Sequence, residues 1–400
     1  MVKHYDERGI TEWKRVSLEQ WFPDSRQDES YAVFGGDIFQ RDVAVEQGIA
    51  RCFGHRAILV IHNNFSLETE LKNLISTYPG LERYQNNPMV FVNYDNQNYM
   101  PLWGVKEERL LEILYPETNQ SHFSQYRSGV RSYLNILKYQ NKPYTLPNLL
   151  RLCEKSVEQL EQEDLSSMSA DLADEIMVNL VTDDVMMRLR NDIQAFAGQF
   201  RGRIWDGRES NVVNMLAAVK KQALISIQLP VASQPILDYL AMELEMILER
   251  GVPCLLVIDS VDIADSRMKH ILSNPSMNMA KLIAGNTVQD VCSTVKNGGE
   301  LLHRFQKILL FKCANPVIAR QYSDMIGSYF KTVVSETVNN SKRLFSWMPV
   351  RTKGSTTSQQ QVSRMEPEEL ANLGNGAVLI NQETGQIEPI HTDEKPEFYK

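Results

Sequence analysis

Hydrophobic and polar positions follow two regimes along this chain of 400 residues. In the first, short apolar runs end at Gly, Pro or Asn. Tyr31-Ala32-Val33-Phe34 stops at Gly35-Gly36, Arg56 to His62 is almost continuous, and Met89-Val90-Phe91-Val92 follows Asn86-Asn87-Pro88. Such runs predict strands buried on both faces of a parallel sheet. Between them, Val43, Val45, Ile49, Ala50 and Phe53 predict a helix over 43–53. Ser66, with Glu68 and Glu70 behind it, is the expected cap of the next one.

From about residue 105 to 222 the second regime takes over. Strand-like runs vanish, and helical segments are expected at 107–114, 122–138, 146–163, 169–197 and 211–220. Leu149, Leu150, Leu152, Cys153, Val157 and Leu160 recur at helical spacing. Strand-helix alternation then returns. Strands are expected at Ala223–Ile227, Pro253–Asp259, Lys281–Asn286 and Lys307–Lys312, with an amphipathic helix over 234–249. Residues 351–363 are polar and aperiodic and read as a flexible loop, before a last β unit at Gly376–Ile380.

These boundaries predict an α/β protein with a mostly parallel sheet flanked by helices and an inserted all-α domain. Residues 1–30 form an arm, 31–104 and 223–350 the two parts of the α/β domain, 105–222 the insertion, and 351–400 a loop and tail.

Composition narrows the field without naming an activity. Apolar residues at 43% and charged residues at 23% are ordinary for a globular chain. The net charge of −8 (42 Lys+Arg, 50 Asp+Glu) excludes a uniformly basic nucleic-acid binder but leaves room for a local basic patch. No apolar stretch is long enough to span a bilayer, and the polar start Met1 to Arg8 has no signal-peptide core, so a cytoplasmic location without membrane insertion is expected. Five cysteines lack any C-x-x-C spacing, and the seven histidines form no H-x-x-x-H pair, so no metal site is expected.

In an open α/β sheet, ligands bind at the carboxyl ends of the strands. Two stretches there carry candidate chemistry. The turn Gly35-Gly36-Asp37-Ile38-Phe39-Gln40-Arg41-Asp42 has the place and the leading glycine of a phosphate-binding loop. That loop needs Gly-Lys-Ser/Thr at its end, so that backbone N–H groups wrap the phosphates, lysine neutralises charge and a hydroxyl holds magnesium. Here Gln40, Arg41 and Asp42 stand in those positions, and Asp42 would repel a polyphosphate. The segment reads either as a degenerate nucleotide loop built on Gly35, Gly36, Gln40, Arg41 and Asp42 or as an ordinary strand-to-helix turn. The second stretch, Leu255-Leu256-Val257-Ile258-Asp259-Ser260, presents Asp259 as a magnesium-binding carboxylate would be presented in a Walker B strand. Ser260 follows where a glutamate would activate water, and serine has no basicity near neutral pH.

The order of α/β half, helical insertion and second α/β half resembles the TraG/TraD-like coupling proteins of conjugation and type IV secretion. They belong to the FtsK/HerA branch of RecA-like P-loop ATPases. Ala57 to Asn63 resembles that family's second strand, without its Asp-Pro-Lys ending, and Asn98-Tyr99-Met100-Pro101-Leu102 its Asn-Pro-Leu segment. Cys254 to Asp259 is similar to its Walker B strand, and Ala284 to Val291 to its sensor segment, which makes Asn286 sensor-like. Arg364 to Ala377 is similar to its C-terminal tail.

The resemblance implies a RecA-like P-loop fold and a component of DNA-transfer machinery. The lost lysine, hydroxyl and glutamate imply weak or no binding of ATP and Mg2+, hence a scaffold or degenerate subunit. An active ATPase using Arg41 in place of lysine, and a protein-interaction module, are the alternatives. Implied partners are DNA, secretion or relaxosome components, and a homo-oligomer or mixed ring with an active paralogue. Arg188, Arg190, Arg201, Arg203 and Arg208, interleaved with Phe196, Phe200 and Trp205, form the candidate DNA-binding patch or else a solvated face beside a core stripe.

Overall fold

A computed structural model describes residues 28–93, 99–114, 122–180, 183–200, 213–229, 233–274, 279–294, 299–341, 350–374 and 376–391. The chain opens with β1 (Ser30–Phe34), α1 (Ile38–Cys52), β2 (Ala57–His62), α2 (Phe65–Thr77) and β3 (Met89–Val92). Helices follow: α3 (Glu107–Leu114), α4 (His122–Tyr139), α5 (Leu146–Cys153), α6 (Val157–Gln159), α7 (Ala170–Leu180), α8 (Asp183–Phe200) and α9 (Met215–Val219). Alternation resumes with β4 (Leu224–Gln228), α10 (Gln234–Glu249), β5 (Cys254–Asp259), α11 (Arg267–Ser273), β6 (Ala280–Gly285), α12 (Gly299–Leu302), β7 (Lys307–Phe311) and α13 (Pro316–Ile326). The chain closes with β8 (Ser328–Ser341), β9 (Val350–Ser363), α14 (Pro367–Ala371), β10 (Gly376–Asn381) and β11 (Gln386–His391).

Nine strands form one sheet in the order β11-β10-β7-β1-β6-β5-β2-β4-β3. From β7 to β3 every neighbouring pair is parallel, and β10 and β11 add to the β7 edge antiparallel. The central strands are mostly apolar because both faces are covered. Within them, the period of two sorts side chains between two cores. Ala57, Leu59 and Ile61 of β2 join a core shared with the helical insertion and α10, whereas Ile58 and Val60 join one shared with α1 and α2. Strand β5 divides in the same way, with Leu256 and Ile258 on one side and Leu255 and Val257 on the other.

The helical insertion is seated by specific contacts. Phe200 of α8 packs edge-on against Tyr239 of α10, ring centroids 5.6 Å apart. Arg267, the first residue of α11, reaches Glu245 of α10 through two bonds, 3.0 and 2.7 Å, and Glu112 of α3 at 3.2 Å. Charge-assisted pairs in fork geometry fix orientation as well as adding energy.

Three expectations are corrected. The helix expected over 146–163 breaks after Cys153, because Ser156 and Gln159 form a reciprocal capping box that starts a new turn. The cap of α2 is Asn64 rather than Ser66: its Oδ1 accepts from the N–H groups of Ser66 and Leu67 at 3.1 and 3.4 Å. The third concerns 351–363, expected as a flexible loop. It is strand β9, paired antiparallel with β8 from Ser328↔Ser363 to Ser341↔Val350. Ser355 to Gln361 are all exposed, so no buried face imposes a hydrophobic alternation for a sequence reading to detect. The β unit expected at Gly376–Ile380 is β10, which with β11 extends the main sheet.

Candidate functional site

The carboxyl ends of β7, β1, β6, β5 and β2 lie side by side and bring the sequence candidates together. Gly35 and Gly36 leave β1 with φ of +80° and +67°, the left-handed region that favours glycine. Their lack of a side chain also serves packing. A Cβ on Gly35 would meet the Phe311 carbonyl oxygen at 2.7 Å, and one on Gly36 would meet the Phe311 Cβ at 2.7 Å. The turn is pressed against the end of β7.

That turn spends its own donors. The Gly35 N–H donates to the Asn286 carbonyl at 3.1 Å and the Gly36 N–H to the Lys312 carbonyl at 2.7 Å. Asp37 and Gln40 cap α1 reciprocally: Gln40 N–H donates to Asp37 Oδ1 at 2.8 Å, and Asp37 N–H to Gln40 Oε1 at 3.2 Å. The Arg41 guanidinium bonds the carbonyls of Gly35 and Gly36, both at 3.1 Å. A phosphate loop needs free N–H groups and a free cation at the helix start. Here a carboxylate sits on the helix N-terminus, and the cation is turned onto the backbone. Asp37 was not among the sequence candidates, although Asp37-x-x-Gln40 is a legible capping pattern.

Below the turn lies a buried polar chain. Asn64 Nδ2 donates to Asp42 Oδ1 at 2.6 Å and to Asp259 Oδ2 at 3.0 Å, so one amide nitrogen bridges two buried carboxylates. The Ser66 hydroxyl donates to the other oxygen of Asp42, and the Ser260 hydroxyl to Asp259 Oδ1 at 3.0 Å. Ser260 has φ of +55° in a non-glycine residue. Burial raises the Asp259 carboxyl to about 6, with the neighbouring Asp42 charge adding to it and the Asn64 and Ser260 bonds opposing it. Asp42 is raised for the same first reason, and its bonds from Ser66 and Asn64 pull back. Beside them His62 lies fully buried, its Nδ1 2.7 Å from the Asn64 carbonyl and its Nε2 2.8 Å from Ser226 Oγ. Burial lowers it to about 4, which keeps it neutral.

Asp42 and Asp259, which the sequence sets against the magnesium-binding hydroxyl and the Walker B acid of a phosphate site, are linked by an amide. The residues therefore do not fit a nucleoside triphosphate with magnesium. The N–H groups of Gly35, Gly36, Asp37 and Gln40 are bonded within the protein, a carboxylate caps the helix, and the carboxylate pair is bridged by Asn64, which was not among the sequence candidates. A cleft of about 460 Å³ does open above the turn, lined by Gly35, Gly36, Asp37, Asn286, Lys312 and Asn315 among others. Asn286 lends its carbonyl to Gly35, and its exposed side chain faces this cleft.

Two of the arginine candidates lie among the described residues, and each is engaged within the protein. Arg188 pairs with Asp192 one turn along α8 at 3.0 Å, and Arg190 donates to the Cys153 and Glu154 carbonyls at the end of α5, at 2.8 and 3.2 Å. Phe200 is fully buried, so its ring is packing and no stacking platform. Arg201, Arg203 and Arg208 lie outside the described residues. Among those residues, no helix is long and apolar enough to cross a membrane.

No protein-family profile matches the chain, and no curated protein matches it by sequence. Among solved structures, it is similar to VirB4 of Thermoanaerobacter pseudethanolicus. The identity is 12%, the likeness covers 99% of each chain, and the TM-score is 0.50. The architecture is that of a RecA-like P-loop NTPase, as the resemblance implies, with a mixed sheet flanked by helices. The likeness does not single out the TraG/TraD branch.

Proposed function

We propose that this chain is an assembly component of a type IV secretion or DNA-transfer machinery, a RecA-like scaffold that does not turn over nucleotide. The likeness to VirB4, a P-loop ATPase of type IV secretion, supports the setting. One observation carries the rest: the N–H groups of Gly35, Gly36, Asp37 and Gln40 are all bonded within the protein, under the Asp37 carboxylate. Freeing them for phosphate would break intramolecular bonds worth roughly 0.5–1.5 kcal/mol each before any ligand contact forms. The rival in which Arg41 replaces the lysine is disfavoured by its two bonds to the turn. Whether the chain serves beside a coupling protein or a VirB4-type subunit is the finer part of the same reading.

Equilibrium binding of a fluorescent ATP analogue with magnesium tests the proposal. No saturable binding below about 100 µM supports it, and an affinity near 1 µM with turnover that Asp259→Ala abolishes overturns it. Partnership with DNA is read by the salt dependence of any binding, since phosphate contacts weaken steeply as salt rises.

A further inference from the structure

The ribbon β8–β9 stands apart from the sheet that holds the candidate site. Each strand runs for 14 residues, roughly 45 Å at about 3.3 Å per residue. Gly327, at φ of +91°, ends α13 and launches β8. The Arg364 N–H returns to the Gly327 carbonyl at 2.9 Å, which closes the base of the ribbon. Gln361 Nε2 donates to Ser328 Oγ at 2.6 Å just above it. Among the described residues, β8 and β9 pair only with each other. Each strand therefore has one outer edge whose backbone donors and acceptors meet no other strand.

Two-stranded ribbons are marginal alone, and natural proteins protect open edges with charge, proline, bulges or very short strands. The outer edge of β9 has none of these over Ser355-Thr356-Thr357-Ser358-Gln359-Gln360-Gln361-Val362. No residue in that run is charged, and none is Gly or Pro. Ser355 to Gln361 are all exposed. The strand opposite does carry charge, with Lys331 and Glu336 in β8. An unprotected edge that long is a pairing surface.

The composition also says which partner fits. An antiparallel two-fold pairing sets this run against itself. Hydroxyls and side-chain amides each donate and accept, so like can bond to like across the pair. A charged run would oppose identical charges in the same arrangement. The chain as a whole carries −8, which repels a second copy, but the ribbon strands hold Lys331, Arg351 and Lys353 against Glu336 alone. Within the ribbon, the run Ser355–Val362 is itself uncharged, so its pairing with the same run sets no like charges opposite each other.

We propose that the outer edge of β9, over Ser355–Val362, is a self-association surface that pairs antiparallel with the same strand of a second copy to make a four-stranded ribbon. The pairing is isologous, so it closes at a dimer. It uses none of the residues at the carboxyl edge of the main sheet, and it stands or falls independently of nucleotide.

Sedimentation velocity of the full chain between roughly 1 and 100 µM reads the first outcome, with a dimer expected. Thr357→Lys with Gln359→Lys places like charges along the edge and is expected to weaken the dimer about tenfold or more, with an unchanged far-ultraviolet spectrum and melting temperature. A second variant does not depend on that one. All five native cysteines are buried, so Ser358→Cys supplies an exposed thiol near the middle of the run. A short bismaleimide is expected to join two such chains through that residue. A monomer at every concentration, a dimer indifferent to the lysines, or failure of the Ser358→Cys chains to cross-link in the dimer overturns the proposal.

Discussion

The side-chain amide of Asn64, at the end of β2, donates to the buried Asp259 carboxylate at the end of β5 across 3.0 Å, and the same nitrogen holds Asp42 at 2.6 Å. Two buried carboxylates are tolerable there because one neutral group serves both while its own oxygen caps α2. Asn64→Ala removes the bridge and the cap together. A loss of about 3 kcal/mol is expected. Its pH dependence follows from Asp259. The folded carboxyl, at about 6, lies above its ordinary value, so the fold favours the protonated form, and stability falls as pH rises toward 6 and then levels. Without Asn64 the fall extends to higher pH. Urea midpoints should therefore show a larger deficit at pH 8 than at pH 5, and equal deficits would contradict the bridge.

Asp37 can be tested apart from that network. Its side chain caps α1, so Asp37→Ala should lose about 1 kcal/mol. The Gly35 and Gly36 N–H groups would still be bonded to the ends of β6 and β7, so removal of the carboxylate should leave ATP-analogue binding unchanged. A variant that binds the analogue near 1 µM would show that Asp37 alone blocks the turn.

What the sequence disclosed follows from where burial leaves a signature. Strands such as β2 and β5 are covered on both faces, so their apolar runs stand out, and so does the acid Asp259 that ends one of them. Helices α3 and α4 were legible from their amphipathic spacing. Strand β9 was hidden because nothing buries it. Asn64 was hidden for another reason: its role depends on Asp42 and Asp259, one 22 and one 195 positions away, which only the sheet brings together. Gly35-Gly36 left two readings open, a degenerate phosphate loop and an ordinary strand-to-helix turn, and its contacts with Phe311 give it a packing reason that no local pattern reveals.

Gly36→Ala separates those two reasons. The left-handed φ costs an alanine roughly 1–2 kcal/mol, and the Cβ would press on Phe311 and Gln40 besides. Gly80, at φ of +93° with nothing within 4 Å of a built Cβ, supplies the control. Gly80→Ala should show the backbone cost alone, and Gly36→Ala about 1–3 kcal/mol more. Equal losses in thermal unfolding would mean that the turn has room to spare against β7.

A pH-sensitive contact between α10 and the segment that precedes α3 is expected at Glu243 of α10. Tyr99 donates to its Oε2 at 2.6 Å and Tyr239 to its Oε1 at 2.7 Å, while the Leu102 N–H donates to the Tyr239 oxygen at 2.6 Å. The carboxyl is fully buried with no cation beside it in this cluster, and burial raises it to about 7 despite the two phenol bonds. An acid whose folded value lies above its unfolded one stabilises the fold below the unfolded value, and that contribution is lost as pH rises through about 7. Between pH 5 and pH 8 this group should cost the protein about 2 kcal/mol. Glu243→Gln keeps the shape and cannot ionise. It should come nearest the parent below about pH 4.5 and exceed its stability at pH 8, with the gap widening from about pH 4.5 to 7 and then levelling. Parallel pH profiles would mean that Glu243 titrates no differently in the folded and unfolded chain.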